Sequence, residues 1–237
     1  MAMNFQTCVL RGYLGLFILL WLMTGSVPAA ADAPKTYLLD VDVNVLQDVG
    51  AQEAKRSKSK RGKRGKKGKT QTGKTLLVSI PKAAPGFDTP ALLYICKNSK
   101  FSGCDGSEYE LKSYSESRWV DTPARMLLPL LVLRLEATKQ FGAVLSAATS
   151  PVACELRLDT EIVRLQQVFD TEPSEVHLVL RVQLLDMVAR QVVATKVFNI
   201  VESAPSENAQ GGVRATNEAV IQLLGDLAKF VKQLNKK

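Results

Sequence analysis

Between Lys55 and Lys74 the chain carries eleven basic residues, Lys55, Arg56, Lys58, Lys60, Arg61, Lys63, Arg64, Lys66, Lys67, Lys69 and Lys74, and no carboxylate. Glycine, serine, threonine and glutamine fill the gaps. Such a stretch repels itself and has almost no apolar surface to bury. It is expected to be a solvated, disordered insertion over about residues 51–74, not a helix or a strand. The fold must therefore be assembled from the sequence on either side. The formal net charge of +8, less these eleven, leaves −3 for everything else, so the basicity belongs to one segment.

The run ends in a letter pattern that has to be weighed. Gly68, Gly73, Lys74 and Thr75 satisfy G-x-x-x-x-G-K-T, the nucleotide-binding P-loop. A working P-loop follows a buried strand and opens a helix, so that backbone amides and the helix N-terminus converge on phosphate. Here a polybasic run precedes the pattern, and the apolar run Leu76 to Ile80, closed by Pro81, follows it as an expected strand. No nucleotide site is expected.

The first thirty-three residues have a different logic. Arg11 is the one charged side chain of a short opening region, Tyr13 to Met23 is apolar, and Thr24 to Ala33 is small and turn-forming. That is the layout of a cleavable signal peptide. The apolar run supplies roughly half of the about 20 residues a bilayer-spanning helix needs. Cleavage is expected after Ala31 or Ala33, where small residues occupy the two positions a signal peptidase reads. Roughly 205 residues then remain, which suits a single domain over 34–237.

Export makes disulfides chemically permissible. Of the cysteines retained, Cys96 and Cys104 enclose a short polar stretch with glycine and serine, which favours a bridge between them and leaves Cys154 over. Burial of all three as small hydrophobes is the competing reading. Four-ligand zinc spacing is absent, and the single histidine, His177, lies in an apolar alternating run where a half-buried strand residue is expected.

Period-two alternation predicts strands over Tyr37 to Val45, Leu76 to Ile80, Pro90 to Cys96, Tyr109 to Tyr114, Leu156 to Phe169, Val176 to Leu185 and Gln191 to Val201. In the Leu156 strand the apolar phase slips after Ile162 to Val163 and Leu165, which predicts a bulge. Asp121-Thr122-Pro123 marks a helix start, with Leu127, Leu128, Leu131 and Leu135 on one face, Pro129 as a kink or a later start, and Gly142 as the stop. After a turn around Asp170 to Ser174 and a polar break over Pro205 to Gly212, a closing amphipathic helix presents Val213, Val220, Leu223, Leu224, Leu227, Phe230, Val231 and Leu234. Strands, helix, strands, helix is the order of an α+β fold, two layers with helices on one face of a mostly antiparallel sheet.

The run from Arg118-Trp119 through Thr122-Pro123-Ala124-Arg125 and Leu128-Pro129 to Leu135, the Leu156 to Phe169 strand, the hairpin that follows and the final helix with Ala219 and Leu223 resemble the ABC-type transport auxiliary component family, which includes PqiC-like envelope lipoproteins. The likeness covers roughly Tyr37 to Leu234, setting aside the basic run. It implies a non-catalytic accessory subunit of a lipid transport system, with an MCE-domain protein and an ABC permease and ATPase as partners. It implies no catalytic residues. Members usually carry a lipobox cysteine that is acylated, whereas Met23-Thr24-Gly25 here runs into Ser26. A serine hydroxyl cannot replace the thiol in that chemistry.

The residues agree with a non-enzyme. No nucleophile stands beside a base, Asp40 and Asp42 alternate on the outer side of an expected strand, and no cofactor or metal site is expected. The expected location is the periplasm, peripheral to a membrane, with the eleven cations facing an anionic phospholipid surface. An exported polyanion-binding protein is the alternative, although the run has no aromatic residue for base stacking, which makes nucleic acid the weaker partner. Assembly of several copies stays open.

Overall fold

The computed structural model describes residues 33–42, 73–97, 100–101, 104, 107–150 and 153–234. The expected signal segment up to residue 32, the expected strand end at Val43 to Val45 and all of the basic run before Gly73 lie outside these residues. The described elements are β1 (Lys35–Tyr37), β2 (Thr75–Val78), β3 (Lys82–Ala83), β4 (Ala91–Cys96), β5 (Lys112–Trp119), α1 (Pro123–Ala137), β6 (Ala143–Ser146), β7 (Leu156–Phe169), β8 (Glu175–Asp186), β9 (Gln191–Ser203) and α2 (Ala209–Leu234). Nine strands make one mixed sheet, and the two helices share a single core with one of its faces. This is the expected α+β class.

Strand β7 is the hub. One edge pairs antiparallel with β8 along nearly its whole length, and β9 continues the meander beyond it. The other edge takes β2, β3 and β4 in succession, all parallel. Then β6 extends β2, while β5 and β1 extend β4. The meander is what alternation implied, but the parallel pairs were not. Parallel neighbours need a long crossover between them, and the chain from β2 to β7, with α1 inside it, supplies one.

The core lies between this sheet and the helices. Leu156, Leu158, Thr160 and Ile162 of β7, Val176, Leu178, Leu180 and Val182 of β8, and Phe198 and Ile200 of β9 are buried in one alternating phase. Against them α2 lays Val220, Leu223, Leu224 and Leu227, and α1 lays Leu127, Leu131 and Leu135. Each fully buried leucine contributes about 1.5–3 kcal/mol relative to exposure. The bulge falls where the phase slips: Ile162 pairs with Leu180 and Arg164 with Val179, leaving Val163 as the extra residue. Val163 is therefore 38% exposed and does not join the buried phase expected of it.

Four boundaries differ from expectation. Residues 38–42 form no strand; Leu39 and Val41 are buried and Asp40 and Asp42 exposed, but the Asp40 amide donates to Asn217 Oδ1 of α2 and not to a neighbouring strand. Strand β5 begins at Lys112, and Tyr109 stands 91% exposed before it. Helix α1 runs through Pro129 to Ala137, ending before Gly142, whose tight backbone contact with Gly73 leaves no room for a Cβ. Thr122 occupies the N-cap position without a side-chain capping bond. Finally, α2 opens earlier than expected, at Ala209, because Asn208 Oδ1 accepts the Gly211 amide as a cap.

Candidate functional site

Ten of the eleven cations, Lys55 to Lys69, lie outside the described residues, and only Lys74 is described. Lys74 Nζ sits 2.7 Å from Asp186 Oδ2, at the foot of the turn joining β8 to β9. The same carboxylate accepts the amides of Val188 (3.0 Å) and Ala189 (2.9 Å) through Oδ1. Beside it the Thr75 amide donates to Glu155 Oε2 at 2.6 Å. Both carboxyls are held below their ordinary pKa, Asp186 chiefly by the Ala189 amide and Lys74, Glu155 chiefly by the Thr75 amide. A depressed carboxyl stabilises the fold above its unfolded pKa and loses that contribution as pH falls through the folded one, so this joint loosens in acid and is fully made at neutral pH.

The joint also decides the P-loop pattern. Thr75 opens β2, not a helix, and Lys74 is paired with a carboxylate. No helix N-terminus therefore follows the pattern to meet a phosphate.

Cys96, fully buried at the end of β4, is bonded to Cys104. Cys154 is free and half-buried. A loop this short constrains the unfolded chain by roughly 2–3 kcal/mol. Cys96→Ser is expected to lower stability by about that amount in urea denaturation, and reductant should reproduce the loss in the natural protein. Equal midpoints with and without reductant would contradict a stabilising bridge.

On the open face of the sheet a notch of about 290 Å³ lies between the β2–β3 segment and β7–β8. Arg157 grips Asp159 through two bonds of 2.8 and 2.9 Å, and Arg181 reaches Glu161 at 3.4 Å. Burial pushes the Asp159 carboxyl up, but bonds from Arg157 and Ser79 and the charges of Arg157 and Lys82 leave it below its ordinary value. Both acids thus serve as ion-pair partners, and Asp159 is shifted away from the raised carboxyl a general acid needs. His177 is half-buried on the same face, Nε2 at 3.3 Å from Glu175 Oε2. Among the described residues no three His, Cys, Asp or Glu side chains come together as metal ligands, and no helix is long and apolar enough to cross a membrane.

A polar cluster that sequence reasoning missed lies under the start of α2. The Tyr114 hydroxyl donates to Gln167 Oε1 (2.9 Å), Gln167 Nε2 donates to Ser174 Oγ (2.8 Å), and the Ser174 amide donates to Glu207 Oε1 (2.8 Å). Burial raises the Tyr114 pKa, so the hydroxyl stays protonated as a donor. A Cβ at position 212 would run into the Gln167 carboxamide, which is why Gly212 stands there. The cluster ties β5, β7 and the approach to β8 to α2. No periodicity signals it, because each of its members comes from a different segment.

The family model described as "ABC-type transport auxiliary lipoprotein component" matches residues 104–228, more than half of the 237-residue chain. The chain belongs to that family. The match runs from before β5 to the last turns of α2, and so takes in the hub strand, the meander, α1 and most of α2. The fold is similar to that of a DUF330 protein from Xanthomonas campestris, at TM-score 0.58 and 19% identity over 72% of this chain and 90% of the other. It is similar also to the crystal structure of an uncharacterized protein, at TM-score 0.53 and 12% identity over 67% and 92%. At these identities the likeness concerns the fold alone. No curated protein matches the sequence. As a member of a transport auxiliary family, the chain has Trp119 of its Arg118-Trp119 pair buried at the end of β5, its amide on the Pro90 carbonyl at 2.7 Å, directly before the α1 face that fills the core.

Proposed function

We propose that the chain is a periplasmic, non-catalytic accessory subunit of an ABC-type lipid transport system built on an MCE-domain protein, contributing to outer-membrane lipid homeostasis. The observation that carries this reading is the family match over the helices and the hub strand. The paired state of the carboxylates in the open-face notch supports the non-catalytic part. The segment before residue 34 exports the chain, and because Ser26 stands where the family's acylated cysteine would be, the basic run takes the place of a lipid anchor. Ten or more cations beside an anionic bilayer, at about 1 kcal/mol each, suffice for surface attachment without an acyl chain.

The partner reading is tested by isolating the tagged, full-length chain from chemically crosslinked envelopes. The MCE-domain protein and the permease and ATPase are expected to co-purify with it. Recovery without any of them, from envelopes in which the permease and ATPase remain associated with each other, would refute the assignment.

A further inference from the structure

Strand β9 is an edge of the sheet. It pairs with β8 on one side, and among the described residues no strand pairs with the other. Its backbone phase is set by the Ala204 amide, which donates to the Ser174 carbonyl at 2.7 Å and extends the β8–β9 ladder by one pair. Bonded and non-bonded pairs alternate along an antiparallel ladder, so Glu202, Ile200, Phe198 and Lys196 turn their amides and carbonyls toward β8. Ser203, Val201, Asn199, Val197 and Thr195 turn theirs outward. An edge this long is ordinarily blunted by proline, by a bulge or by several charges. From Thr195 to Ser203 there is no proline, the register against β8 does not shift, and the charges are Lys196 and Glu202 alone.

That stretch, Thr-Lys-Val-Phe-Asn-Ile-Val-Glu-Ser, is complementary to its own reverse. Laid antiparallel on a second copy about a twofold axis at Asn199, it sets Val197 of one copy opposite Val201 of the other. In the same register Phe198 faces Ile200, Thr195 faces Ser203 and Lys196 faces Glu202. Outward groups meet outward groups, and each such pair can exchange two backbone bonds, about ten in all. A shift of one residue would set outward groups against groups already bonded to β8. A shift of two sets Lys196 against Ile200 or Ala204 and leaves both charges without a counter-charge. The two sides of the strand agree with this pairing. Val197 is 56% and Val201 44% exposed on the open face. On the helix side Phe198 and Ile200 are buried, and Lys196 Nζ lies over the rings of Phe198 and Phe230 at 4.6 and 5.4 Å. Among the described residues neither Lys196 nor Glu202 forms an ion pair.

We infer that β9 is a self-pairing edge, through which two copies of the chain join antiparallel about a twofold axis at Asn199. A second copy fits because its own β9 supplies a valine for each valine and a counter-charge for each charge. The interface is isologous, so the pair of Lys196 with Glu202 is made twice. Opposite charges directly across paired strands stabilise them, and like charges there repel. The axis stands perpendicular to the sheet. The two copies therefore share one continuous sheet, with α2 of both on one side and both open-face notches on the other.

The test follows the mature chain by sedimentation velocity over a dilution series, where a concentration-dependent dimer is expected. Lys196→Glu and Glu202→Lys each set like charges opposite one another twice, and each is expected to weaken the dimer about tenfold or more. Mixed together, the two variants regain opposite charges at both pairs. They are expected to dimerise with each other as the natural protein does, which also certifies that each is folded. In a Cys154→Ser background, Asn199→Cys is expected to close into a disulfide-linked dimer under mild oxidation, since residues of a bonded pair lie about 5.5 Å apart at Cα, within disulfide reach. Thr195→Cys, which faces Ser203, should not close. The crosslink does not depend on the charge variants being stable. A monomer at every concentration overturns the inference, and is the result expected if residues of the chain outside those described cover the edge. A dimer that neither charge variant weakens, or that closes at Thr195→Cys and not at Asn199→Cys, overturns it equally.

Discussion

Removal of residues 55–69 is expected to release the mature protein from anionic vesicles at low salt while leaving its thermal midpoint unchanged. The deletion takes away ten of the eleven cations and leaves Lys74 with its partner Asp186. Even a third of the summed attraction, about 3 kcal/mol, corresponds to more than a hundredfold in partitioning. The natural protein should lose most of its binding as ionic strength rises from about 0.01 M, where charges act over about 30 Å, toward about 1 M, where they act over about 3 Å. Stability should not follow, because the deletion spares the core formed by the described residues and the joint at Thr75 and Glu155. Sedimentation with phosphatidylglycerol vesicles measures the first effect and calorimetry the second. Equal sedimentation of the two proteins would end the tether reading, and a large drop in midpoint would mean that the run packs on the fold.

How much of this could be read from the residues depends on whether the signal is periodic. The meander and α2 were legible because Leu178, Leu180 and Val182, or Leu223, Leu224 and Leu227, repeat at the spacing of their element and face one core. The α+β class follows from their order. The parallel attachment of β2, β3 and β4 to β7 was not legible, since pairing partners far apart in sequence leave no local trace. The same holds for the Tyr114, Gln167, Ser174 and Glu207 cluster, and for the pairing of Lys74 with Asp186 beside the β8–β9 turn. Gly142 looked like a helix stop but serves a backbone contact with Gly73, which a glycine permits and local pattern cannot distinguish. Trp119 carried the family resemblance as a letter; in the structure it is buried core.

The bulge in β7 carries the other large expected effect. Ile162 is 2% exposed and faces the helices, so Ile162→Ala should cost about 2–5 kcal/mol through lost burial and the cavity left behind. Val163, one residue on, is the extra residue of the bulge, and Val163→Lys should change stability by less than about 0.5 kcal/mol. Urea denaturation checks both, as a shift in midpoint without a change in slope. The contrast matters beyond β7 itself, because a one-residue slip reverses every later side chain. Without the extra residue, Gln166 would take the side facing α2 and Gln167 would turn to the open face. With it, Leu165 pairs with Leu178 and Gln167 with Val176, and the Gln167 carboxamide meets Tyr114, Ser174 and Gly212 at the start of α2. Equal costs at positions 162 and 163 would refute the register, and with it the explanation of why glycine stands at position 212.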